Sequence, residues 1–176
     1  MTATILQCDA RPDDAPALAR LFARSFTETF GHLYRSEDLA AFLHEFTEPR
    51  WAAELRDPAY AFRLATAEGR AVGFAKLGPP SLPVTPLGRS TELRQLYLLP
   101  EAQGTGAAAA MMDWVIGAAR ARGAGELFLS VYVDNHRARR FYERYGFARI
   151  GRYTFMVGAH ADEDDLMRLV LDEAAR

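Results

Sequence analysis

Apolar residues recur along this chain with two periods, and the periods divide it into helices and strands. Between residues 15 and 30 they fall at Leu18, Leu21, Phe22, Phe26 and Phe30, the spacing of one helix face. Gly31 predicts the end of that helix. Leu39, Phe42, Leu43 and Phe46 repeat the pattern, with Ser36-Glu37-Asp38 ahead of them as a predicted cap. Residues 51–55 read as a further turn of helix. On either side of Glu68-Gly69-Arg70 the pattern changes, and residues 60–67 and 71–77 predict a β-hairpin. The segment 78–88 holds Pro79, Pro80, Pro83 and Pro86, which exclude a regular element. Residues 91–99 predict the next strand, stopped by Pro100.

The second half alternates. A long helix is predicted from Gly104 to about Arg122, with Ala107, Met111, Trp114, Val115 and Ala118 as its buried stripe. Residues 126–133 are apolar on both faces and predict a central strand. Residues 135–145 predict a helix with Ala138, Phe141, Tyr142 and Tyr145 inward, and residues 147–157 an extended segment that bends at Gly151. Residues 160–165 read as an acidic turn and 166–171 as a last strand; residues 4–8 are a short first strand. Hairpin strands followed by strand–helix–strand–helix–strand–strand predict an α/β fold, a mixed sheet with helices on both faces. The length of 176 residues fits a single domain, 1–176.

Composition narrows the function. Hydrophobic residues make up 49% and charged residues 25%, and the net charge is −2, so nothing points to nucleic acid or to an anionic membrane as a partner. One cysteine, Cys8, excludes an internal disulfide and points to a cytoplasmic location. The first residues have neither the basic nor the apolar region of a signal peptide. The histidines at 32, 44, 136 and 160 are scattered, so no metal site is expected.

The chemistry concentrates in residues 92–108. A strand, the turn Gln103-Gly104-Thr105-Gly106 and the alanine-rich start of a helix make an anion site, because the first helical N–H groups lack partners and carry partial positive charge. Gln103-Gly104-Thr105-Gly106-Ala107-Ala108 resembles the Arg/Gln-x-x-Gly-x-Gly/Ala motif of the GCN5-related N-acetyltransferase (GNAT) family. Asn135-His136-Arg137-Ala138-Arg139-Arg140-Phe141-Tyr142, continued by Glu143-Arg144-Tyr145-Gly146-Phe147, is similar to that family's second signature. The resemblance implies acetyl-CoA as co-substrate, its pyrophosphate on the backbone N–H groups of Gln103 to Ala108. It implies that the pantetheine arm lies along the strand at Leu96 and Leu98, with the N–H of Leu98 polarising the thioester carbonyl. Asn135 is an N-cap by position and, by resemblance, a contact to the coenzyme arm. Arg139 and Arg140 reach toward a phosphate or form a solvated helix face.

By the same resemblance Tyr142 protonates the leaving thiolate, and Glu92 draws the amine's proton through water. A core tyrosine and a surface glutamate are the plain alternatives. Ala108 replaces a common glycine, and Gln103 a common arginine. The implied acceptor is a small-molecule primary amine. A loose likeness of residues 155–158, 165–167 and 27–31 to spermidine/spermine-type acetyltransferases puts polyamines first. Glu28, Glu37 and Asp38, with Asp162 to Asp165, are two acidic groups suited to a cation. A homodimer is left open.

Two other readings use the same residues. Gly104-x-Gly106-x-x-Ala109 with Asp134 after the next strand also fits a dinucleotide-binding oxidoreductase. A non-catalytic acyl-coenzyme A sensor would keep the turn without needing Tyr142 or Glu92.

Overall fold

The structure, a computed structural model, describes residues 4–171. Its strands are β1 (Ile5–Asp9), β2 (Ala61–Ala67), β3 (Arg70–Gly78), β4 (Ser90–Leu98), β5 (Glu126–Tyr132), β6 (Ala148–Val157) and β7 (His160–Val170). Its helices are α1 (Ala15–Phe30), α2 (Ser36–His44), α3 (Glu48–Arg56), α4 (Ala107–Ala121) and α5 (His136–Arg144). The strands form one sheet in the order β1-β2-β3-β4-β5-β7-β6. All neighbours are antiparallel except β4 and β5. A doubly wound dinucleotide fold needs a mostly parallel sheet, so that reading fails.

Helices cover both faces, as the pattern predicts. On one side Leu18, Phe22 and Phe26 of α1 and Trp51 of α3 pack on Phe62, Leu64 and Phe74 of the hairpin. On the other, Met111, Met112 and Val115 of α4 and Tyr142 of α5 pack on Leu93, Leu127 and Leu129. The side chains of a strand alternate between the faces, so both layers share one sheet. Among the described residues no helix is long and apolar enough to cross a membrane.

Three local expectations change. Ser36-Glu37-Asp38 is the first turn of α2 and not its cap; Arg35 is the N-cap residue. The Asp38 carboxylate accepts from Arg35 Nε (2.9 Å) and from Ala159 N (2.8 Å), which ties α2 to the β6–β7 turn. Helix α4 begins at Ala107, because Gly104 and Gly106 take left-handed φ angles of 74° and 87°. The predicted acidic turn is strand: β7 begins at His160, and the reversal falls at Gly158-Ala159. Its carboxylates tolerate a sheet because they are partnered. Asp165 meets Arg149 (2.6 Å), Arg152 (3.2 Å) and Arg139 (3.4 Å). The bulge or bend expected at Gly151 is present, as a register shift between Arg149 and Gly151.

The feature that positions the site is where β4 and β5 part. They pair only at Ser90–Glu126, Thr91–Leu127 and Glu92–Phe128. Beyond that their facing edges separate, leaving backbone N–H and C=O groups without strand partners in the middle of the sheet.

Candidate active site

A cavity of ≈ 670 Å³ occupies the gap between β4 and β5, walled by residues 93–98 on one side and 129–132 on the other. Leu99 N donates to Val72 O of β3 (2.8 Å). Alternation along the strand therefore turns the N–H groups of Leu98 and Leu96 the other way, into the gap. The Gly104-Thr105-Gly106 turn closes one end of this groove. Thr105 Oγ1 locks the turn by donating to Ala102 O (2.7 Å) and accepting from Ala107 N (3.3 Å). The N–H groups of Gly104, Thr105, Gly106 and Ala108 find no acceptor among the described residues, and a Cβ on either glycine would meet nothing within 4 Å. Free donors facing open space, beside a helix N-terminus, are what a diphosphate needs.

Of the two cations expected at this end, Arg140 lines the groove and Arg139 does not. Arg139 is committed to Asp165 (3.4 Å) and Glu143 (3.8 Å); Arg137 and Arg144 line the groove as well. Gln103 explains the placement of Arg137. Its Nε2 donates to Leu98 O (3.0 Å), and its Oε1 accepts from Arg137 Nη1 (2.6 Å). The glutamine thus carries an arginine to the turn. Asn135 caps α5, its Oδ1 accepting from Ala138 N (3.2 Å), and also lines the groove.

Tyr142 lines the same groove from α5 and at the same time belongs to the core, its ring 5.5 Å from Phe141 and 5.7 Å from Phe147. Burial pushes its pKa up, so the phenol keeps its proton at neutral pH.

A second cavity, ≈ 230 Å³, opens from the other side. Phe22, Phe26, Phe42 and Phe46 roof it, and Tyr97 lies on its floor. Asp162 and Asp164 of β7 line one side of it, Lys76 of β3 and Arg50 of α3 line the other, and Arg94 and Glu92 of β4 lie on the wall as well, 3.8 Å apart. Two strands, β4 and β5, separate β3 from β7. Asp162 accepts from the Tyr34 hydroxyl and pairs with His160 (3.2 Å). Lys76 is buried against Glu54 and over the Trp51 ring (5.0 Å), and desolvation lowers its pKa.

Glu92 is on this second wall, not at the surface, and its carboxylate holds the proline-rich loop. It accepts from Ser81 N (2.6 Å), Ser81 Oγ (3.1 Å) and Leu82 N (3.1 Å). Of the acidic residues expected at the mouth, Glu28 pairs with Arg24 (2.8 Å) on the helix surface, and Glu37 is exposed. Only Asp162 and Asp164 face the cavity.

The two cavities share Phe30, Arg94, Gln95, Tyr97, Ser130 and Tyr132. They meet at the splay. Tyr97 and Ser130 escaped the sequence reading because nothing in a strand's apolar alternation marks a junction between two cavities. Among the described residues no group of three or more His, Cys, Asp or Glu is placed to hold a metal ion.

The family model described as "Acetyltransferase (GNAT) family" matches residues 16–147. The chain belongs to the GNAT family. It is therefore an acetyl-CoA-dependent acetyltransferase, as its two motifs imply. An uncharacterised N-acetyltransferase of Mycobacterium tuberculosis strain H37Rv is 39% identical over 155 residues, 88% of this chain and 96% of the relative. Among solved structures, the PaiA N-acetyltransferase of Thermoplasma acidophilum in complex with coenzyme A superposes with a TM-score of 0.75 at 19% identity, over 95% of this chain and 99% of the other. A GCN5-related N-acetyltransferase from Rhodopseudomonas palustris gives a TM-score of 0.75 at 25% identity, over 97% and 98% of the two chains.

Proposed function

We propose that this GNAT chain acetylates the primary amine of a small molecule by direct attack within a ternary complex. The observation that carries the reading is the pair of cavities joined at the splay, which lets donor and acceptor enter from opposite sides and meet. Acetyl-CoA, when bound, supplies the thioester. The N–H groups from Gly104 to Ala108, with Arg137 beside them, hold the diphosphate. The open edge of β4 at Leu96 and Leu98 holds the extended arm, and the N–H of Leu98 stabilises negative charge on the thioester oxygen. Tyr142 gives its proton to the departing sulfur. A sensor that only binds the coenzyme has no use for a second, aromatic cavity at the reacting end.

The carboxylates of Asp162 and Asp164 and the aromatic roof suit an alkylammonium chain. Polyamines such as spermidine are therefore the first acceptors to test. Arg94, with Lys76 and Arg50 on the β3 side of the cavity, equally suits an amine that also bears an anionic group, so amino acids and short peptides form the other arm. Thiol release from acetyl-CoA is measured across polyamines, amino acids, peptides and aminoglycosides at low and high salt. Polyamine turnover that weakens with salt supports recognition by the carboxylates. Turnover of carboxylate-bearing amines alone overturns the polyamine reading, and no turnover of any amine overturns the acetyltransfer.

A further inference from the structure

Asp164 lines the second cavity next to the junction, and so far it serves only as one of two carboxylates suited to a cation. Its residue is 6% exposed. Its Oδ2 accepts from Ser130 Oγ (2.9 Å), and Ser130 lines both cavities. Its neighbours on β7 have partners: Asp165 pairs with three arginines, and Asp162 meets His160 and the Tyr34 hydroxyl. Among the described residues no cation pairs with Asp164 and no second donor reaches it. A buried carboxylate with one neutral hydrogen bond is costly to keep, and packing gives no reason for it. The remaining carboxylate on the wall, Glu92, accepts at Oε2 from Ser81 N and Leu82 N and has Arg94 3.8 Å from Oε1.

We propose that Asp164, positioned by Ser130, is the group that takes the proton from the acceptor's ammonium. The assignment rests on the acetyltransferase reading above. An alkylammonium has no lone pair with which to attack, so one proton must leave first. Asp164 accepts it and releases it to solvent. The freed nitrogen attacks the thioester carbon; the C–N bond forms, and the C–S bond breaks as the adduct collapses. The sulfur takes the proton of Tyr142, and the second proton leaving the nitrogen restores the phenol. Ammonium and thioester become amide, thiol and one released proton.

The environment suits a base. Desolvation raises the Asp164 pKa to about 6, against the Ser130 bond, with Asp162 and Asp165 adding to the rise. That narrows the gap to an amine. The other titratable groups around it are Tyr97 of β4, Tyr132 of β5, Tyr153 of β6 and Tyr34 between α1 and α2. None brings a positive charge. His160 sits on Asp162, and histidine changes charge nearest neutral pH, so it is the control.

The test is steady-state kinetics of the full chain from pH 5 to 9. It uses saturating acetyl-CoA and the best-turned-over amine of the panel above. The wild type, Asp164→Asn, Ser130→Ala, Glu92→Gln and His160→Gln are compared. Wild-type kcat should fall as pH drops through about 6, because the base must be ionised. Asp164→Asn should lose about a hundredfold in kcat at pH 7 and regain rate steadily as pH rises and free amine accumulates. Calorimetry should show its coenzyme A affinity unchanged, which also reports that it folds. Ser130→Ala should move the acidic limb to higher pH, since that hydrogen bond favours the ionised carboxylate. Full kcat with a raised KM in Asp164→Asn would make it a binding group only, and loss of the limb in Glu92→Gln or His160→Gln would move the base there; either overturns the proposal. An active wild type with an indifferent Asp164→Asn overturns this assignment alone. A wild type that turns over no amine overturns the acetyltransfer reading as well.

Discussion

A phenol serves as an acid only while it holds its proton and reaches the leaving atom, and Tyr142 meets the first condition through burial alone. Its double position, ring in the core and edge on the groove, separates its two duties cleanly. Tyr142→Phe keeps the ring contacts with Phe141 and Phe147 and removes only the hydroxyl. Turnover should fall more than about tenfold while coenzyme A affinity stays within a few-fold, the pattern of a lost general acid. Unchanged kcat in single-turnover measurements would leave Tyr142 a packing residue. Glu92 shows the opposite case. Its place at the head of β4 is read from sequence, but its hydrogen bonds to Ser81 and Leu82, eleven and ten residues back, are made by the fold. A sequence names a carboxylate near a site without saying which donors have already claimed it.

At the scale of elements, the strand–turn–helix at 90–121 was legible because each part announces itself locally. Pro100 stops a strand, two glycines take left-handed backbone, and alanines begin a helix. The turn is also where one substitution separates binding from folding. Gly106→Asp adds a negative charge among the free N–H groups and forces an L-residue to φ 87°. Coenzyme A binding should be abolished by calorimetry, with the circular dichroism spectrum retained. Undiminished affinity in the folded variant would remove the diphosphate from this turn. β7 was not legible in its first half, for an equally physical reason. Asp162-Glu163-Asp164-Asp165 has the composition of a turn, and only partners distant in sequence make it a strand. Those partners are Arg139 on α5, Arg149 and Arg152 on β6, and Tyr34 and Ser130 on the cavity side. Arg139 was misplaced in the same step: the helix pattern puts it near the turn, and the unread Asp165 draws it away.

Across the whole molecule, the cost of the site should appear in stability. The sheet opens between β4 and β5, and Asp164 is buried beside the opening with a pKa of about 6 against an ordinary 3.8. Between those two values the folded chain binds more protons at this position than the unfolded chain, so stability falls as pH rises through the interval. Above about pH 6 the full penalty of the buried charge is present; well below 3.8 both states are protonated and it is absent. An asparagine in place of Asp164 would not titrate, and its side-chain oxygen could still accept from Ser130. Asp164→Asn should therefore raise Tm at pH 7 by about 2–5 °C and leave it nearly unchanged at about pH 3. A second desolvated carboxylate elsewhere would lower the wild-type curve in the same window, but the difference between the two proteins isolates this one. The coupling to function makes the measurement decisive. A variant that is more stable at neutral pH and nearly inactive shows that the fold carries Asp164 for its chemistry. A variant less stable at every pH shows instead that the carboxylate holds β7 against β5, and that its place beside Ser130 is structural.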